Sequence, residues 1–216
     1  MARPRTPEER AKRVAELEGK ASRRRVLQWS VAVLVALLVV GGVAYGLSRV
    51  PKPAPDVHWH AKYQVWVNDQ QLSFANSKFD ANVNQDFYLP AHMHGPNFDV
   101  IHNEGKEGEG TLGKFFQFGL SGGKIADDEL VIPEGASLAS GGAPFSGDFK
   151  NAGNQTVQMY VSNQVTNESW TRVAGNLAGF SFHDGDRLLI LYGDYSPDRL
   201  AALEDQFPSF DPSTVQ

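Results

Sequence analysis

A long apolar segment near the N-terminus constrains this chain more than any other feature. Residues 26–47 read VLQWSVAVLVALLVVGGVAYGL and contain no charged side chain. About 20 consecutive apolar residues are enough to cross a bilayer as a helix, whereas the apolar part of a cleaved signal peptide is about 7–15 residues long. The segment therefore predicts a single transmembrane helix that is retained as a signal-anchor.

The charge on the two sides of this segment predicts its orientation. Residues 1–25 contain nine basic and four acidic residues, a local balance of +5, although the whole chain has a net charge of −5. Basic residues that flank a transmembrane helix stay on the cytoplasmic side. We therefore expect a cytoplasmic tail at residues 1–25, a helix in membrane lipid, and a C-terminal part outside the cell.

The remainder of the chain divides into a short linker and one domain. Residues 48–56, SRVPKPAPD, carry alternating prolines, which favour a semi-rigid extended linker. Residues 57–216 then form a single extracytoplasmic domain that is long enough to bury a hydrophobic core. A membrane or extracytoplasmic protein is a partner class that this placement allows, whereas the acidic balance of the domain disfavours nucleic acid.

The absence of cysteine from the sequence excludes several kinds of site. Thiolate zinc sites, iron–sulfur clusters, cysteine nucleophiles and blue-copper centres all require that residue. The sequence also lacks a phosphate-binding loop, a dinucleotide fingerprint and a Gly-x-Ser-x-Gly elbow. Histidine and carboxylate side chains are therefore the metal ligands that the domain can offer.

Hydrophobic periodicity predicts a domain of the α+β class. We expect loops at residues 75–86, 103–110 and 135–154, a short helix capped by Thr111, and a terminal helix that begins at Ser196-Pro197. This order favours a compact mixed sheet holding one short helix, similar to a β-grasp fold, with a β-sandwich as the alternative. The expected strands are 58–67, 71–74, a short 87–89, a short 98–102, 129–132, 156–162 and a buried 188–192.

Five of the six histidines lie close together in sequence. Residues two apart in a strand project from the same face. The members of each His-x-His pair can therefore point in one direction, while Met93 turns away and packs in the core. The five residues are His58, His60, His92, His94 and His102.

This pattern predicts a metal site. Neutral imidazole is a common ligand for zinc and copper, and two pairs carried on adjacent strands would converge. His102 could add a fifth imidazole, and Asp99 and Glu104 could complete the ligand shell. The alternative is that these are ordinary surface or hydrogen-bonded histidines. His183, beside Asp184, is expected to be a loop histidine before a tight turn.

Three sequence pieces resemble a family of prokaryotic membrane-anchored ectodomains with no assigned activity. They read HWHAKYQVWVN, HMHGPNFDVIHNEG and TLGKFFQFG within residues 58–119, and GDRLLILYG is a weaker match. The resemblance implies that the histidine motifs act as one unit and assigns no reaction to them. Residues 96–98 stand where members of that family more often have a shorter, acidic or glycine-rich link to the third histidine. The resemblance therefore supports a role for His102 less strongly than for the two pairs.

The expected function follows from the site and the topology. We expect a membrane-anchored extracytoplasmic protein that binds, senses or delivers a transition-metal ion, zinc or copper, through paired histidines. A metal-dependent extracytoplasmic enzyme is the main alternative, and a structural or partner-binding ectodomain without metal is the third.

Overall fold

A computed structural model describes residues 56–83 and 90–215, together with short stretches between 29 and 41. The chain divides into two compact units, Met1–Pro53 and Ala54–Gln216. The described positions of the apolar segment 26–47 are helical, and its other positions lie outside the described residues, as do the predicted tail 1–25 and nearly all of the linker. Among the described residues, no helix is both long and apolar enough to cross a membrane.

The described part of the second unit is built mainly from short strands. Its helices are α1 (Leu112–Lys114), continued by a π-helical turn at Phe115–Gly119, and α2 (Pro197–Gln206). Single 3-10 turns lie at Ser77–Phe79, Leu177–Gly179 and Pro212–Thr214. The strands are β1 (Asp56–Val67), β2 (Gln70–Ser73), β3 (Ala91–His92), β4 (Val100–Lys106), β5 (Lys124–Ile125), β6 (Glu129–Ile132), β7 (Ser137–Leu138), β8 (Gly147–Lys150), β9 (Thr156–Asn163), β10 (Glu168–Arg172) and β11 (Asp186–Gly193).

These strands form a large mixed sheet and a small antiparallel one. The large sheet has the order β10-β9-β11-β1-β2-β7, with β4 paired to β1 and β3 paired to β4. The small sheet has the order β5-β6-β8. Only the β1–β11 pairing is parallel among the described strands. The expected α+β class with a mixed sheet is therefore confirmed.

The apolar strand β11 lies at the centre of the large sheet. It pairs with β1 on one side and with β9 on the other, and every residue of 188–192 is buried. A strand that is covered on both faces has a continuous apolar sequence, which is why LLILY indicates such a position. The prediction of a buried central strand is confirmed.

Both predicted helix starts have the expected caps. The Thr111 side chain accepts a hydrogen bond from the Lys114 amide at 3.3 Å, and Ser196 accepts one from the Arg199 amide at 3.2 Å. Pro197 occupies the first turn of α2. Each cap satisfies an amide that has no partner within its helix.

Three predicted loops contain regular structure. The loop at 75–86 includes a 3-10 turn, 103–106 extends β4, and 135–154 includes β7 and β8. The sequence NEGK in β4 is polar, but its pairing with β1 supplies backbone hydrogen bonds that local composition does not reveal. These loop predictions were therefore wrong where a distant strand provides the partner.

Candidate metal centre

The register of three strands places three histidines in one row. His60 on β1 lies opposite His102 on β4, and His92 on β3 lies opposite the same residue. Directly opposite residues on paired strands project from the same face. The expectation that the two His-x-His pairs lie on adjacent strands is wrong, because β4 separates them. It failed because the sequence did not reveal that β4 continues through residues 103–106 and pairs on both sides.

The first pair and His102 lie close enough to bind one metal ion. The ring centroids of His58 and His60 are 4.8 Å apart, and those of His60 and His102 are 4.7 Å apart. One ligand atom from each of the three residues can be chosen so that all lie within 4.8 Å of one another. Trp59 turns to the other face, where its ring lies 5.0 Å from that of His183.

The second pair approaches His102 from the side of β3. The ring centroids of His92 and His94 lie 5.7 Å and 4.1 Å from that of His102. Met93 between them is fully buried, and the Tyr63 hydroxyl lies 3.3 Å from its sulfur. The prediction that Met93 packs in the core is confirmed. Four imidazoles therefore surround a fifth, and we call these five residues the histidine cluster.

His102 is the most buried member of the histidine cluster. It is 1 % exposed, and neither of its ring nitrogens has a hydrogen-bond partner among the residues that the structure describes. Burial, followed by repulsion from His94, His60, His92 and His58 in that order, lowers the pKa of His102 to about 3. The ring is therefore neutral near pH 7, which is the form that binds metal ions.

The carboxylate of Asp184 contacts His60. Asp184 Oδ1 accepts a hydrogen bond from the backbone amide of His60 at 2.9 Å and lies 3.6 Å from its Nδ1. The other nitrogen, Nε2, is buried and has no partner within the described residues. The pKa of His60 is lowered, first by burial and then by repulsion from His58. A carboxylate in this position orients an imidazole toward a metal ion.

The two carboxylates that the sequence offered as further ligands behave differently. Glu104 Oε1 lies 3.2 Å from His58 Nε2, at the exposed side of the cluster. Asp99 instead pairs with Lys62, whose Nζ lies 2.9 Å from Asp99 Oδ2. Glu104 therefore remains beside the histidines, whereas Asp99 is held by a lysine.

His183 lies outside the histidine cluster, as the sequence predicted for a loop residue. Its side chain is 60 % exposed, its Nδ1 lies 3.8 Å from Asp186 Oδ2, and its backbone amide donates to the same oxygen. Sequence reasoning grouped Asp184 with His183, but the turn brings Asp184 to His60 instead. No local spacing signals this contact, because the two residues are 124 positions apart.

Asn103 is a buried polar residue that sequence reasoning missed. It is fully buried, and no described residue hydrogen-bonds to its side-chain amide. The amide packs against Gly110 so closely that a β-carbon on this glycine would overlap it. Since Asn103 and His102 alternate along β4, the Asn103 side chain points to the opposite face from the cluster.

Comparison of the chain with protein-family models, with curated proteins and with solved structures finds no match. The resemblance of the histidine motifs to membrane-anchored ectodomains and the likeness to a β-grasp fold therefore stay predictions. The geometry of the histidine cluster is therefore the evidence from which a function can be proposed.

Proposed function

We propose that this chain binds a transition-metal ion through His58, His60 and His102, within the cluster that His92 and His94 complete. One observation carries the proposal: the two ring nitrogens of His102 are buried among four other imidazoles and have no hydrogen-bond partner in the described part of the chain. A histidine that served only packing would ordinarily be hydrogen-bonded.

A bound ion would remove an energetic cost at this place. Leaving a buried polar group without a partner costs about 1–3 kcal/mol, and both His102 and His60 have such nitrogens in the described structure. Protonation is not a remedy for His102, since burial and the neighbouring rings lower its pKa to about 3. A bound cation uses the same lone pairs and replaces the missing partners.

The ligand chemistry favours zinc or copper. Three neutral imidazole nitrogens suit either ion, and the chain offers no thiolate. Asp184 contacts His60 and Glu104 contacts His58, so two carboxylates can balance the charge of the ion. Both ions are therefore used in the binding experiment.

A role in binding, sensing or delivering metal outside the cell fits the exposure of the cluster. The His58 side chain is 62 % exposed, so an ion held beside the buried His102 could exchange at this side. A metal-dependent enzyme is the second candidate, because three histidine ligands leave a fourth position for water or substrate. Binding comes first because the buried imidazoles without partners among the described residues account for a bound ion and require no substrate.

The proposal also includes the place of action. We propose that residues 26–47 anchor the chain in the cell membrane, with residues 1–25 in the cytoplasm and the histidine cluster outside. The support is the uncharged apolar segment that follows a basic N-terminal stretch. A membrane or extracytoplasmic protein would then receive or supply the ion.

Calorimetric titration of the metal-free full-length chain with Zn²⁺ and Cu²⁺ tests metal binding. The double variant His58→Ala/His60→Ala is expected to lose at least tenfold in affinity, because it removes two of the three ligands. The matched control is His183→Ala, which removes a histidine outside the cluster and should bind as the unchanged chain does. Equal affinity in the double variant and the control would show that the histidines are not ligands.

A further inference from the structure

The ring of His102 offers two buried nitrogens, and a single ion can bind only one of them. The two nitrogens of an imidazole point away from each other, so an ion bound at one cannot reach the other. We propose that the histidine cluster holds two metal ions, one on each side of His102, whose ring joins them. This inference rests on the proposed function and extends it.

The positions of the strands support two sides. His102 lies on the middle strand, β4, while His58 and His60 come from β1 and His92 and His94 come from β3 and the residues after it. Neighbouring strands lie about 4.8 Å apart, so β1 and β3 are separated by about 10 Å. One ring of each pair is close to the central ring, at 4.7 Å for His60 and 4.1 Å for His94. The two pairs are therefore carried by chain segments on opposite sides of β4.

The second nitrogen of His102 needs a partner of its own. A metal-bound histidine normally gives its other N–H to a carboxylate, a carbonyl or water. At His60 a carboxylate is near the other nitrogen, because Asp184 Oδ1 lies 3.6 Å from Nδ1. Within the described residues, His102 has no such acceptor at either nitrogen. A second ion would fill this role, and the ring proton would leave to solvent as the second nitrogen–metal bond forms.

Acidic groups are present on both sides of the central ring. Glu104 and Asp184 contact His58 and His60 on the side of β1. On the other side, Asp80 forms a β-bridge with Met93, and its carboxylate would lie 3.2 Å from a β-carbon placed on Gly95. Each ion would therefore have at least one carboxylate near it to offset its charge.

The two positions differ in how completely they are formed. The ligand atoms of His58, His60 and His102 already lie within 4.8 Å of one another. His92 and His94 have centroids 5.7 Å apart and would turn toward the second ion as it binds. We therefore expect the first ion to bind more tightly than the second.

Metal stoichiometry of the full-length chain tests the inference. The metal-free protein is titrated with Zn²⁺, and bound ions per chain are counted by elemental analysis after removal of free metal. The unchanged chain and the control His183→Ala should bind two ions. The variant His92→Ala/His94→Ala should bind one, with the affinity of the first site preserved within a few-fold.

Copper adds a spectroscopic measurement that also reports whether the two ions are joined through one ring. Two Cu²⁺ ions joined through one imidazole couple magnetically, so the EPR signal of the unchanged chain should account for much less than the copper bound. In His92→Ala/His94→Ala the signal should account for all of it. One ion per chain with a full EPR signal would overturn the two-ion inference and leave the proposed function standing. Two ions in His92→Ala/His94→Ala would also overturn it, and no bound ion in the unchanged chain would overturn both proposals.

Discussion

Acid is expected to destabilise the metal-free domain through His102. In the unfolded chain this residue has a pKa of about 6.5, whereas burial among other imidazoles lowers the pKa to about 3 in the folded state. Between these values the unfolded chain binds one more proton than the folded chain. Because the folded-state pKa is the lowered one, stability is complete above pH 6.5 and falls as the pH decreases toward 3.

The size of the effect follows from the shift in pKa. One unit corresponds to about 1.4 kcal/mol, so lowering the pH from 6.5 to 5 should cost about 2 kcal/mol through His102 alone. The pKa values of His60 and His94 are also lowered by burial, and their protonation acts in the same direction. A loss of this size is a substantial part of the free energy of unfolding of a folded domain, which is typically about 5–15 kcal/mol.

Urea unfolding of the full-length chain in the presence of a chelator, followed by tryptophan fluorescence at pH 7 and pH 5, measures this loss. His102→Leu removes the titrating group and should lose about 2 kcal/mol less than the unchanged chain over the same interval. The control His183→Gln removes an exposed histidine and should keep the full pH dependence. If the unchanged chain and His102→Leu lose the same free energy, folding does not lower the pKa of His102 and the reasoning fails.

Three further predictions follow from the cluster, the core and the apolar segment. Removing a bound ion with a chelator should lower the melting temperature by about 5–10 °C without unfolding the domain at room temperature, and complete loss of near-UV circular dichroism would contradict this. Met93→Leu should leave zinc and copper affinity unchanged and cost less than about 1.5 kcal/mol of stability, because Met93 packs in the core; a loss of metal affinity in calorimetry would make it a ligand. Protease added to intact cells should degrade the chain after residue 48, whereas full protection until lysis would reverse the proposed topology.

The sequence alone determined features that depend on local periodicity. Alternation along an extended backbone places His58 and His60 on one face, as their adjacent rings show, and turns Met93 into the core. The apolar run 188–192 likewise indicated a central buried strand, and residue types alone identified the caps at Thr111 and Ser196. Each of these features involves residues within a few positions of one another, so the sequence is sufficient to predict them.

Only the tertiary structure decided how the histidines meet. The motifs made His102 the least certain ligand, yet the pairing of β4 with both β1 and β3 puts it at the centre of the cluster. Asp184 reaches His60 across 124 positions because a turn before β11 returns to β1. Strand order and register depend on backbone hydrogen bonds and core packing between distant segments, and a period of two residues contains no information about which strands become neighbours.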